Sequence, residues 1–127
     1  MIIDTSALID SLTGPKRSAK TMRAFIAAGE RLLIPSLVLY EWQRGPRTEE
    51  ELTAQDVLLP AAGALPFGAE EAAVAARLYR EVPRSRGREI DLAIAAHAVV
   101  REDALWTLNV DDFADISGLV LASTEGM

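Results

Sequence analysis

Short apolar runs that stop at polar residues alternate along this chain with stretches whose apolar side chains recur every three or four positions. Met1-Ile2-Ile3 is the first run, ending at Asp4-Thr5-Ser6 before the helical spacing of Ala7 to Leu12; this is the pattern of a buried strand feeding a helix. Gly14-Pro15 breaks that helix, and Ser18 to Ala28 predicts another through Met22, Phe25 and Ile26, closed by Gly29. Arg31 to Ile34 predicts a second strand, and Pro35-Ser36 opens a helix through Leu37, Tyr40 and Trp42 that Gly45-Pro46 stops. Thr48 to Pro60 is weakly helical, and Ala61 to Gly68 is a connection with room for a short strand at Ala64 to Pro66. Ala69 to Val82 reads as an alanine-rich helix, Pro83 to Gly87 as a basic loop, and Ile90 to Val100 as a helix of small residues. A strand at Ala104 to Thr107, a polar turn at Asn109 to Asp112, a short helix near Phe113 and a last strand at Leu119 to Ala122 complete the pattern. Continuous apolar strands separated by helices predict an α/β fold whose mainly parallel sheet is covered on both faces. One domain over residues 1–127 is expected, since 127 residues, half of them hydrophobic, suffice for one core.

Composition narrows the chemistry. No apolar run approaches the roughly 20 residues that cross a bilayer, and the N-terminus lacks the features of a signal peptide, so a cytoplasmic protein is expected. There is no cysteine and one histidine, His97, which removes thiol nucleophiles, Cys-ligated zinc and multi-His sites. Any metal must be held by oxygen. The net charge of −6 disfavours nucleic acid at first sight, yet Arg84, Arg86 and Arg88 precede Asp91, and Arg44 and Arg47 follow Glu41. Bound divalent ions reverse much of a local carboxylate charge.

Four acids stand in apolar surroundings: Asp4, Glu41, Asp91 and Asp112. Like charges in low-polarity settings repel and lose solvation, and are tolerated chiefly around a cation. Each also has a plain structural alternative. Asp4 suits a helix N-cap; Glu41 can pair with Arg44 three residues on; Asp91 lies in a first helical turn, where the macrodipole favours an anion; and Asp112 suits an Asx turn, with Asp111 competing for its role. Asp4, Glu41 and Asp112 nonetheless follow predicted strands, and a parallel sheet gathers such positions at one edge. Glu49, Glu50, Glu51, Glu70 and Glu71 read as solvated helix faces, and His97 as a packing residue on the helix surface opposite Asp91.

Asp4-Thr5-Ser6-Ala7-Leu8-Ile9-Asp10, Glu41 with Arg44-Gly45, Asp91-Leu92-Ala93-Ile94-Ala95-Ala96-His97-Ala98, and Thr107-Leu108-Asn109 with Asp112-Phe113 occur in an order that resembles the PIN-domain ribonucleases. The compact form resembles the VapC-type toxins of bacterial toxin–antitoxin pairs. The resemblance implies a PIN-like three-layer α/β/α fold with four to five short strands. It implies a metal-dependent endoribonuclease in which Asp4, Glu41, Asp91 and Asp112 hold one or two Mg²⁺ or Mn²⁺ ions. Thr5, Ser6, Thr107 and Asn109 would be supporting polar groups, and Arg44, Arg84, Arg86 or Arg88 would touch RNA phosphate. It also implies a homodimer and a small antitoxin entering the acidic site; Ser18 to Ala28 and Ser36 to Arg44 would offer surfaces. Leu108 stands where the family often has a basic side chain. Alternatives are a solitary RNA-processing PIN nuclease and an inactive PIN-fold binding module. A haloacid-dehalogenase-type phosphatase needs a second aspartate where Ser6 stands and a lysine later than Lys20, the last in the chain.

Overall fold

The computed structural model describes residues 1–124; residues 125–127 of the expected domain lie outside the described residues. Ile2–Ile3 forms β1, Ala104–Trp106 β2 and Val120–Leu121 β3, in the order β1-β2-β3 with both pairings parallel. Ile3 aligns with Trp106, and Ala104 with Val120. Beyond β1 the sheet continues as single parallel bridges, Ile2 to Leu33 and Pro35 to Leu65. Chain segments therefore lie side by side at every place where a strand was expected, but those at 31–34 and 64–66 hold no regular ladder. Pro35 and Pro66 donate no N–H, so this edge depends on the amides between them: Leu65 N donates to the Ile34 carbonyl and Ser36 N to the Leu65 carbonyl, each at 2.8 Å.

The helices are α1 Thr5–Leu12, α2 Ala19–Ala27, α3 Ser36–Arg44, α4 Glu49–Leu58, α5 Ala69–Glu81 and α6 Glu89–Arg101. Single 3₁₀ turns lie at Ala61–Gly63 and Val110–Asp112. α1 starts two residues before the predicted Ala7, because Asp4 is extended (φ −84°, ψ 156°) and its carbonyl already accepts from Leu8 N at 3.1 Å. At α4, Thr48 Oγ1 accepts from Glu51 N at 3.1 Å while Glu51 Oε1 accepts from Thr48 N at 2.8 Å, a reciprocal cap. Glu71 likewise takes the Gly68 N–H at 2.9 Å to start α5. Glu51 and Glu71 are thus helix-start residues rather than members of a purely solvated face.

The core fills with the strands and the helix faces turned to them: Ile2, Ile3, Leu8, Val38, Trp42, Leu78, Leu92, Ile94, Leu105 and Trp106 are all buried. Phe25 meets Trp106 edge to face, with centroids 5.1 Å apart, a favourable aromatic arrangement. α6 is buried without interruption from Leu92 to Ala98, because α5 packs along it while α3 and β2 also touch it. His97, expected as a packing residue on the face opposite Asp91, is 2% exposed and lies against Phe67. The alanines at 93, 95, 96 and 98 permit this enclosure. Among the described residues no helix is long and apolar enough to cross a membrane.

Candidate functional site

Sheet register delivers the first part of the site. Pairing Ile3 with Trp106 sets Asp4 beside Thr107, and Asp4 N donates to the Trp106 carbonyl at 2.8 Å. Asp4 is 3% exposed and its side chain caps no helix. Its Oδ2 instead accepts from the hydroxyls of Ser6 and Thr107, each at 2.7 Å. Those oxygens in turn accept from backbone: Leu108 N reaches Ser6 Oγ and Asn109 N reaches Thr107 Oγ1, both at 3.0 Å. The turn after β2 is therefore tied to the start of α1 through one carboxylate oxygen. Among the described residues no hydrogen bond reaches Asp4 Oδ1, so that oxygen is held in place with its lone pairs unused.

Glu41 projects from α3 toward the same place, with Oε1 accepting from Thr5 Oγ1 at 2.6 Å. Its contact with Arg44 is long, 3.4 Å, and the Arg44 guanidinium lies over the Tyr40 ring. Asp91 sits in the first turn of α6, and among the described residues its carboxylate has no hydrogen bond. Its pKa is pushed up from 3.8 to about 6, first by burial and then by the negative charges of Asp4, Glu41 and Asp112, with Arg88 pulling it back. A helix N-terminus by itself stabilises an anion. The capping explanation therefore does not account for Asp91. Asp112 ends the 3₁₀ turn, exposed but anchored by the buried Phe113, and it, not Asp111, is among the charges acting on Asp91. The expected acids thus share one electrostatic environment. As oriented here, however, no three acidic side chains among the described residues lie close enough to hold one ion together.

The family model of the PIN domain matches residues 1–119 of this chain. The chain belongs to the PIN domain family. Ribonuclease VapC19 of Mycobacterium tuberculosis (strain CDC 1551 / Oshkosh) is a relative, 33% identical over 114 residues that span 88% of this chain and 90% of that protein. This PIN chain is also similar in structure to the DNA-bound VapBC of Salmonella typhimurium, with a TM-score of 0.76, 22% identity and 95% of each chain covered. A toxin–antitoxin complex from Klebsiella pneumoniae gives a TM-score of 0.73 at 23% identity over 94% of each chain. The expected PIN fold with its parallel sheet is what the chain adopts.

The arginines of this PIN domain divide into two kinds. Arg84 and Arg86 are exposed, and Arg84 lines a cavity of about 510 Å³ together with Pro83, Arg88, Asp111, Asp112 and Asp115. Arg88 is engaged already: it grips both oxygens of Asp115 at 2.7 and 2.9 Å and donates to the carbonyls of Asp112 at 2.9 Å and Pro83 at 3.1 Å. Asp115 escaped the sequence reading. It lies three residues past Asp112, where the short helix expected near Phe113 is instead a turn following the 3₁₀ turn Val110–Asp112, and only its spatial pairing with Arg88 reveals it. Asn109 is exposed and contributes its backbone N–H to the Thr107 network. An apolar groove of about 500 Å³ lined by Ile26, Leu32, Leu33, Val57 and Leu58 includes none of these groups.

Proposed function

We propose that this PIN-domain chain is a divalent-metal-dependent endoribonuclease and the toxin of a toxin–antitoxin pair. The observation that carries the reading is Asp91: a carboxyl raised to about 6 by burial and by three other carboxylates is a group waiting for positive charge. The donor set is oxygen only, which suits Mg²⁺ or Mn²⁺. Mg²⁺ keeps several of its waters and needs one or two direct carboxylates, so the spread of these side chains fits a hydrated ion or a pair of ions. Asp4 and Asp91 would hold it, with Glu41 and Asp112 completing the shell. When bound, the ion supplies charge neutralisation and activates water toward phosphorus.

The chain's own groups have separable tasks. Ser6 and Thr107 fix Asp4 through Oδ2 and leave Oδ1 for the ion; Thr5 fixes Glu41. Arg44, Arg84 and Arg86 are the exposed cations positioned to meet RNA phosphate, and each contact adds affinity that falls with salt. His97 is the single histidine of the sequence and is enclosed, with no hydrogen-bond partner for its Nε2 among the described residues, so a paired-histidine ribonuclease mechanism has nothing to work with. A cognate antitoxin and a second copy of the chain are the proposed protein partners. The structural neighbours, solved as a toxin–antitoxin complex and as VapBC, support the antitoxin; the second copy rests on the family resemblance alone.

Purified protein is expected to cut single-stranded RNA with Mn²⁺ and to lose that activity with chelator. Asp4→Asn and Asp91→Asn are each expected to lower the rate by about 100-fold or more, the scale on which charge stabilisation at a reacting phosphate is lost. Full Mn²⁺-dependent cleavage by either variant would remove the assignment. Weak Mn²⁺ binding by the wild type in calorimetry would favour the inactive binding module instead.

A further inference from the structure

We infer that Arg88 and Asp115 form a clasp that sets the Asp112 turn against the start of α6, making both positioning residues for the proposed nuclease site. The inference rests on that nuclease reading. Arg88 immediately precedes α6, whose first turn carries Asp91, while Asp112 and Asp115 belong to the segment after β2. Without a bridge, the two carboxylates ride on elements that meet only through packing. Arg88 supplies the bridge from its fork: each of its two Nη nitrogens makes two hydrogen bonds, one to Asp115 and one to a carbonyl, that of Pro83 for Nη1 and that of Asp112 for Nη2.

The geometry speaks for placement rather than stability. Arg88 is 20% and Asp115 38% exposed, and ion pairs so exposed contribute at most about 1 kcal/mol to folding. A planar guanidinium bound bidentately, however, fixes direction as well as distance. The bond to the Asp112 carbonyl acts on the backbone of the residue whose carboxylate joins the site. The turn is otherwise short and exposed, closed by Asp112 N to Asn109 O at 3.0 Å and Phe113 N to Val110 O at 3.1 Å. Arg88 is also the positive group acting on Asp91. A rival role for Arg88, direct contact with RNA phosphate, would require its fork to leave Asp115.

Asp115→Asn separates the two roles by sign. If Arg88 is a hand for phosphate restrained by Asp115, the variant binds RNA more tightly, with a lower KM and unchanged kcat. If it is a clasp, kcat falls about 10-fold, in line with the sensitivity of catalysis to small misplacements, Mn²⁺ affinity by calorimetry falls several-fold and KM stays put. Asp115→Glu, which keeps the bidentate acceptor, is expected to restore much of both, whereas Arg88→Lys, lacking the fork, is not. Wild-type kcat and wild-type Mn²⁺ affinity in folded Asp115→Asn would overturn the clasp. Should Asp115→Asn fail to fold, Arg88→Lys with unchanged kcat and Mn²⁺ affinity overturns it equally. A wild-type protein that cuts no RNA with Mn²⁺ defeats the nuclease reading alone, and the Mn²⁺ affinities of the same variants still decide the clasp.

Discussion

Asp91 carries the tension of the site. Its folded-state pKa of about 6 lies above the ordinary 3.8, so the folded protein holds a proton there that the unfolded chain has already lost. Stability from this group is therefore highest below pH 3.8 and declines as pH rises through 6. At neutral pH the full cost is at most about 3 kcal/mol, and partial solvation of the carboxylate brings it to about 1–2 kcal/mol. Asp91→Asn is accordingly expected to raise the metal-free melting temperature at pH 7.5 by several degrees while abolishing cleavage, and the gain should shrink toward pH 4.5 in calorimetric scans. Equal melting temperatures at pH 7.5 would contradict the mutual repulsion. Asp4, Glu41, Asp91 and Asp112 were legible in the sequence as acids in apolar company. The Thr107 hydroxyl on Asp4 Oδ2 and the Arg88–Asp115 grip were less so, since both depend on partners about 25 to 100 positions away that only the fold brings near.

The elements were read well where a single local signal governs them. Gly14-Pro15, Gly29, Gly45-Pro46 and the apolar run at β1 each punctuate the chain in a way that tertiary contacts do not override. Thr48 with Glu51 is such a signal too, and the reciprocal cap it makes lies apart from the carboxylates. Thr48→Ala should cost about 1 kcal/mol, lowering the melting temperature by about 3–6 °C and leaving RNA cleavage unchanged; a matching loss of kcat would mean that α4 communicates with the site. What local signals could not supply is how thin the sheet edge becomes at Pro35 and Leu65, where pairing shrinks to isolated bridges. Nor could they supply the second buried side of α6: periodicity separated Ile94, Ala95 and Ala98 from His97, but α5, α3 and β2 together leave both faces buried.

At the scale of the whole molecule, the proposed nuclease activity sets a net charge of −6 against a polyanionic substrate. The few exposed arginines near the site imply a modest ionic footprint: three phosphate contacts give a log–log salt slope of about −2 for single-stranded RNA. Anisotropy titrations of Asp4→Asn at fixed Mn²⁺ should return that value, and a slope steeper than about −4 would require a basic surface that Arg44, Arg84 and Arg86 do not provide. The parallel sheet decides where such contacts gather, because strands running the same way end on one side. The enclosure of α6 has a further consequence. A rod gripped along seven successive residues, Leu92 to Ala98, can neither slide nor roll, so the first turn that carries Asp91 keeps its place, and the Asp112 turn that Arg88 holds against it inherits that fixed reference.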